Sequence, residues 1–110
     1  MADPPDALAR VIAALRDDYA SKLPGKIVEI EELWRRLLAG DAPVAELRDV
    51  VRMVHGIAGS GTTFGLAAAS AAARELGRFL EPIHAAGRLP DTVERERVAA
   101  LIAALKQAAR

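Results

Sequence analysis

The residue best suited to covalent chemistry in this sequence is His55. At helical spacing it shares a stripe with Arg48, Arg52 and Gly59, which lie two turns before it, one turn before it and one turn after it. A ring with these neighbours is expected to face solvent rather than the core. An imidazole is partly uncharged near neutral pH, so one ring nitrogen is a nucleophile that needs no separate base. The simplest alternative is a solvated surface histidine without a chemical role.

Two glycines beside His55 favour a chemical role. Gly56 and Gly59 fall within the same predicted helix, where each costs about 1 kcal/mol relative to alanine. Such a cost is expected where the backbone of another molecule must approach closely. The alternative is that the glycines allow neighbouring helices to pack tightly. Arg48 and Arg52 add positive charge that would suit an anionic phosphoryl group on the ring.

Helix breakers define two predicted helices before the one that carries His55. The segment Asp3–Asp6 reads as a helix start, because proline and acidic residues suit a first turn. Ser21 and Pro24 separate this helix from a second one, which ends at Gly40. Trp34 is expected to be a core anchor of the second helix.

Three further helices are predicted after Gly40. The third opens at Asp41 and Pro43, and residues 59–65 (GSGTTFG) form its connector to the fourth, with hydroxyl side chains as helix caps. Asp91 and Glu94 resemble a capping box at the start of the fifth helix. The third helix has a narrow apolar seam of residues spaced by three and four: Val44, Leu47, Val51, Val54 and Ala58.

Composition and charge narrow the class of protein. Apolar residues make up 52% of the chain, cysteine is absent, and 15 basic residues balance 15 acidic ones. The balance weighs against nucleic-acid binding, and no apolar run reaches the roughly 20 residues of a membrane span. We expect one domain over residues 1–110, all-α, built as an antiparallel up-down four-helix bundle with an additional N-terminal helix. A cytoplasmic monomer with no membrane partner is expected.

Residues 55–65 (HGIAGSGTTFG) resemble the signature of the histidine phosphotransfer (HPt) domain family. That signature is a histidine, usually Lys-Gly at the third and fourth positions after it, and a small-residue connector ending near a glycine. The Ala-rich segment Ala72–Leu76 also fits, and Tyr19, Leu23-Pro24 and Trp34 are similar to the leading helices of one variant of the family.

The resemblance implies a phosphorelay protein with the predicted bundle fold. His55 would accept a phosphoryl group from the receiver domain of a hybrid sensor histidine kinase and pass it to a response regulator receiver. Such a domain is a phosphocarrier and not an enzyme. The receiver would supply Mg²⁺ and the catalytic carboxylates, so this chain is expected to hold neither metal nor cofactor. Arg52, Arg48 and Gly59 would support the histidine.

Two positions depart from the family pattern. The usual lysine is Ala58 here, and Arg52 is the residue expected to offer charge instead. A Glu or Gln that often orients the second ring nitrogen, about 22 positions after the histidine, is replaced by Gly77. Arg74 and Glu81, one turn to either side of that position, are candidates to take its place.

These departures leave two other classes open. The first is a phosphotransfer-inactive helical adaptor that binds a receiver or kinase domain. The second, weaker class is a structural bundle that self-associates through its Ala-rich helices. The other histidine, His84, lies near the end of the fourth predicted helix, where a cation suits the dipole, and no chemical role is expected for it.

Overall fold

Four helices account for most of residues 4–110, which are the residues that the computed structural model describes, with side chains from residue 6 onwards. They are α1 (Pro4–Ala39), α2 (Pro43–Thr63), α3 (Ala67–Ala85) and α4 (Thr92–Ala108). No strand occurs in this range, which confirms the all-α class and the four-helix bundle. Asp3, part of the predicted helix start, lies outside the described residues. None of the helices between residues 4 and 110 is long and apolar enough to cross a membrane.

Neighbouring helices run in opposite directions. On α2 and α3, the Ala58 carbonyl accepts a hydrogen bond from Ser70, while Val54, one turn earlier, lies beside Gly77, two turns later. An ion pair between Glu31 and Lys106 places the end of α4 against the second half of α1. The connections between helices are short, at residues 40–42, 64–66 and 86–91. This is the predicted antiparallel up-down order.

The core draws buried apolar side chains from all four helices. Trp34 is buried, as predicted, but Val44 is exposed and does not belong to the seam. The buried face of α2 includes Val50 and Ile57, which the predicted seam omitted. The reason is that α2 packs against both α1 and α3, so its buried face is wider than a stripe with one partner. The core residues of α2 and α3 are Leu47, Val50, Val54, Ile57, Ala69, Ala73, Leu76, Leu80 and Ile83.

The separate N-terminal helix predicted from Ser21 and Pro24 is not confirmed, because α1 continues through both residues. A proline inside a helix costs about 3 kcal/mol, through one lost hydrogen bond and a clash with the preceding turn. Leu23 and Ile27, on either side of Pro24, are buried in the core, and their packing offsets this cost. The Ser21 hydroxyl donates to the carbonyl of Asp18 at 2.7 Å instead of capping a new helix.

The first half of α1 extends beyond the bundle. The 36 residues of the whole α1 helix span about 54 Å at the usual rise per residue, and the molecule measures 59 × 22 × 21 Å. Residues 6–18 are exposed, including the large apolar side chains Leu8, Ile12 and Leu15. The bundle begins where the ring of Tyr19 stacks on Phe64, with 5.3 Å between the ring centroids.

The predicted connector at residues 59–65 is also corrected, since α2 continues to Thr63 and the turn is confined to residues 64–66. Gly65 has a positive φ of 73°, a conformation that suits glycine at such a turn. The Thr62 and Thr63 hydroxyls each lie 3.1 Å from a carbonyl oxygen one turn earlier in α2, and they do not cap α3. Residues 59–63 are therefore helical, although their small and polar side chains had predicted a loop.

The predicted capping box at the start of α4 is confirmed. Asp91 Oδ1 accepts the backbone N–H of Glu94 at 2.8 Å, and Glu94 Oε1 accepts that of Asp91 at 2.9 Å. The Arg88 guanidinium donates to both oxygens of the Glu94 carboxylate, at 2.7 and 2.8 Å. The Arg88 hydrogen bonds, with that from the Asp91 backbone, lower the pKa of Glu94 from 4.5 to about 2.

This lowered pKa predicts an acid-dependent loss of stability. Above pH 4.5 the ionised Glu94 stabilises the fold fully, and this contribution declines as pH falls from about 4.5 towards about 2, because the unfolded chain binds the proton more tightly. Urea midpoints measured across this range should fall less steeply for Glu94→Gln than for the wild type. Glu96→Gln, at an exposed α4 position outside the capping box, is the control, and identical slopes for wild type and Glu94→Gln would contradict the prediction.

Candidate functional site

His55 is exposed on α2, as predicted, beside an open groove of about 300 Å³ between α2 and α3. The floor of the groove includes the buried side chains of Val54 and Ala73. The remaining residues that line it are Ala58 and Gly59 from α2, and Arg74, Gly77, Arg78 and Glu81 from α3. The groove therefore has one wall of small, uncharged residues and one wall that carries charge.

The groove unites only some of the predicted site residues. Gly59, Arg74 and Glu81 line it together with His55, whereas Arg52 and Arg48 are not among the lining residues. Arg48 lies near the start of α2, where its Nε is 3.6 Å from Asp49 Oδ1. The supporting roles of Arg52 and Arg48 stay predictions.

Arg78 is a lining residue that sequence reasoning missed. It lies four residues after Arg74, so helical spacing alone places the two on one face of α3. That spacing was the available signal. The spacing is not sufficient by itself, because the sequence does not reveal which face of α3 lies towards His55.

The glycines beside His55 are not explained by packing within the molecule. A Cβ built at Gly56 or at Gly59 would meet nothing within 4 Å. The glycine that permits close helix packing is Gly61, where a Cβ would lie 3.0 Å from Ser70 Cβ and 3.2 Å from the Ser70 backbone. The tight-packing interpretation is therefore wrong for Gly56 and Gly59. The surface next to His55 is therefore open to solvent and carries no side chain at either glycine.

A chain of hydroxyl hydrogen bonds crosses from α2 to α3 at the end of the groove. Ser70 is buried, and its Oγ donates to the Ala58 carbonyl at 2.7 Å. Thr62 Oγ1 lies 2.7 Å from Ser70 Oγ, and Arg74 Nη2 donates to Thr62 Oγ1 at 2.8 Å. With Ser70 donating to the Ala58 carbonyl, the single Thr62 hydroxyl proton serves Ser70 Oγ, which is nearer than the Ala58 carbonyl at 3.1 Å, and Thr62 Oγ1 accepts from Arg74. Sequence reasoning did not anticipate this chain.

The charge distribution shows what the groove can hold. Arg74 and Arg78 bring two guanidinium groups to the α3 wall, and Glu81 adds one carboxylate. The α2 wall contributes only Ala58 and Gly59 beside the imidazole. Guanidinium groups form strong, geometrically defined hydrogen bonds to phosphate oxygens. The arrangement places a nucleophilic ring next to a wall that suits an anion.

Comparison with protein families identifies the class of this chain. The model of the Hpt domain matches residues 6–108, so the chain belongs to the Hpt domain family. Neither the curated proteins nor the solved structures that were compared gave a match. Hpt domains are phosphocarriers with a phosphotransfer role in two-component signalling, and their partners are receiver and kinase domains.

The different surroundings of the helix glycines predict opposite effects on stability. Gly61→Ala should lower the free energy of unfolding by about 1–3 kcal/mol, because the new methyl group must push the α3 backbone away at Ser70. Gly56→Ala should raise it by up to about 1 kcal/mol, because alanine favours the helix and meets no obstacle. Urea denaturation measures both. A stabilising Gly61→Ala would contradict the close helix approach.

Proposed function

We propose that His55 is the phosphoryl acceptor of this Hpt domain. In this proposal it takes the group from the receiver aspartate of a hybrid sensor histidine kinase and passes it to a response regulator receiver. The observation that carries the proposal is an exposed imidazole followed in the same helix by two glycines, Gly56 and Gly59, with open space at both positions. His84, the other histidine of the chain, lies outside this groove and beside the start of α2.

The transfer step needs only one nucleophilic atom from this chain. The lone pair of an uncharged ring nitrogen of His55 attacks the phosphorus of the receiver's aspartyl phosphate. The N–P bond forms as the bond between phosphorus and the aspartate oxygen breaks, and the carboxylate leaves with the electron pair. The reverse step returns the group to an aspartate. Mg²⁺ and the acidic groups that hold it belong to the receiver in this proposal, and a cytoplasmic location remains a prediction.

Gly56 and Gly59 support docking of a partner on this face. Each costs about 1 kcal/mol of helix stability relative to alanine, and neither is repaid by contacts within the described fold. Their effect is to remove side-chain bulk next to His55, so that the surface of a receiver can bring its aspartate within reach of the ring. A methyl group at either position would stand between the two proteins.

The assignment of His55 predicts the outcome of a labelling experiment. Incubation with a phosphorylated receiver should label the wild-type protein with an acid-labile, base-stable phosphoryl group. His55→Gln should abolish the label, and His84→Gln should retain it. Label that persists in His55→Gln would sink the assignment. Receiver binding without any labelling of the wild type would support the inactive adaptor instead.

The glycine argument predicts that stability and transfer change in opposite directions. Gly59→Ala should stabilise the fold by up to about 1 kcal/mol and slow transfer from a phosphorylated receiver by about tenfold, because the methyl group displaces the docked partner. Gly25→Ala is the matched control, since Gly25 is an exposed helix glycine of α1 with open space around it. It should leave the transfer rate unchanged. Equal rates for Gly59→Ala and the wild type would remove the glycine from the docking surface.

A further inference from the structure

We propose that Arg74, held in place by the Thr62–Ser70 hydroxyl chain, binds the phosphoryl group carried by His55. The inference rests on the proposed function of His55 and identifies where the charge of the phosphoryl group is compensated. The family pattern places a lysine on the same helix as the histidine, and that position is Ala58 here. In this chain the compensating charge comes instead from the facing helix, α3.

The position of Arg74 supports this role. It lines the same groove as His55, and a phosphoryl group on an exposed ring carries up to two negative charges that need hydrogen-bond donors. One guanidinium N–H of Arg74 is used by Thr62 Oγ1, which leaves other N–H groups to bind phosphoryl oxygens. Arg52, the cation predicted for this task, is exposed on α2 and does not line the groove.

The hydroxyl chain supplies the rigidity that an exposed arginine otherwise lacks. A solvated arginine side chain samples many rotamers and loses that freedom when it binds an anion. Here the chain runs from Arg74 through Thr62 and Ser70 to the Ala58 carbonyl, with separations of 2.8, 2.7 and 2.7 Å. The last link lies one turn after His55, so Arg74 is tied to the helix that carries the acceptor.

The close approach of the α2 and α3 backbones also holds the Thr62–Ser70 hydroxyl chain in place. Ser70 is 2% exposed, and the missing side chain of Gly61 allows its Cβ and backbone to approach α2 closely. The buried Ser70 hydroxyl is held by its hydrogen bond to the Ala58 carbonyl, and it lies within hydrogen-bond distance of Thr62 Oγ1. Thr62 and Ser70 are therefore positioning residues, whereas Arg74 is the group in contact with the phosphoryl oxygens.

Two readouts test the inference. The first is the equilibrium constant for phosphoryl exchange between a receiver and this protein. The second is the ³¹P resonance of protein labelled on His55 with phosphoramidate, in which ammonia leaves as the N–P bond forms. Arg74→Gln should shift the equilibrium towards the receiver by about threefold to tenfold, the effect of losing one hydrogen bond of typical net strength at an exposed site, and should move the resonance. Arg97→Gln, on α4, is the control that should change neither.

Variants of Arg52 and of Thr62 in the hydroxyl chain complete the experiment. Thr62→Val should shift the equilibrium in the same direction by a smaller factor, Thr62→Ser should restore it, and Thr62→Val should add nothing once Arg74 is glutamine. An Arg52→Gln effect as large as that of Arg74→Gln would overturn the inference, as would an unmoved resonance in Arg74→Gln.

The two readouts also separate this inference from the proposed function. Wild-type protein that phosphoramidate labels but no phosphorylated receiver labels would count against the relay role of His55. The ³¹P resonance would then still decide whether Arg74 contacts the phosphoryl group. A relay that works normally with an unmoved resonance in Arg74→Gln would leave the function in place and remove Arg74 from it.

Discussion

The close approach of α2 and α3 at Gly61 and Ser70 is the constraint on which the site depends. Because Gly61 has no side chain, the first turn of α3 contacts the last turn of α2 at Ser70. This contact sets how far apart the two helices lie where they pass His55. The width of the groove, and the distance at which charged groups of α3 face the imidazole, follow from that separation.

Glycine has opposite uses within a single helix. Gly61 is buried and lets a neighbouring helix approach, whereas Gly56 and Gly59 are exposed beside His55 and have open space where a side chain would be. Both uses cost helix stability, and α2 remains helical because Leu47, Val50 and similar residues are buried along its other faces. A scaffold that packs this firmly can keep a bare surface around the acceptor, which is where we propose that a receiver docks.

The two helices that form the site, α2 and α3, contribute different chemical groups to it. In our proposal α2 supplies the nucleophile and a flat surface, while α3 supplies charge through Arg74. The hydroxyl chain joins these two functions, since it begins at a guanidinium on one helix and ends at a carbonyl on the other. The departure at Ala58 from the usual family lysine is then a change in which helix carries the cation rather than a loss of it.

The sequence alone determined the helical class, the exposure of His55, the burial of Trp34 and the capping box at Asp91, because each depends on spacing or hydrogen bonds within one short segment. It did not determine that α1 passes through Pro24 without a break, because core packing on both sides of the proline outweighs a local preference. Nor did it determine which cations share the groove with His55. Helical spacing places Arg52 near the imidazole on its own helix, but only the packing of α3 against α2 brings Arg74 and Arg78 to the groove.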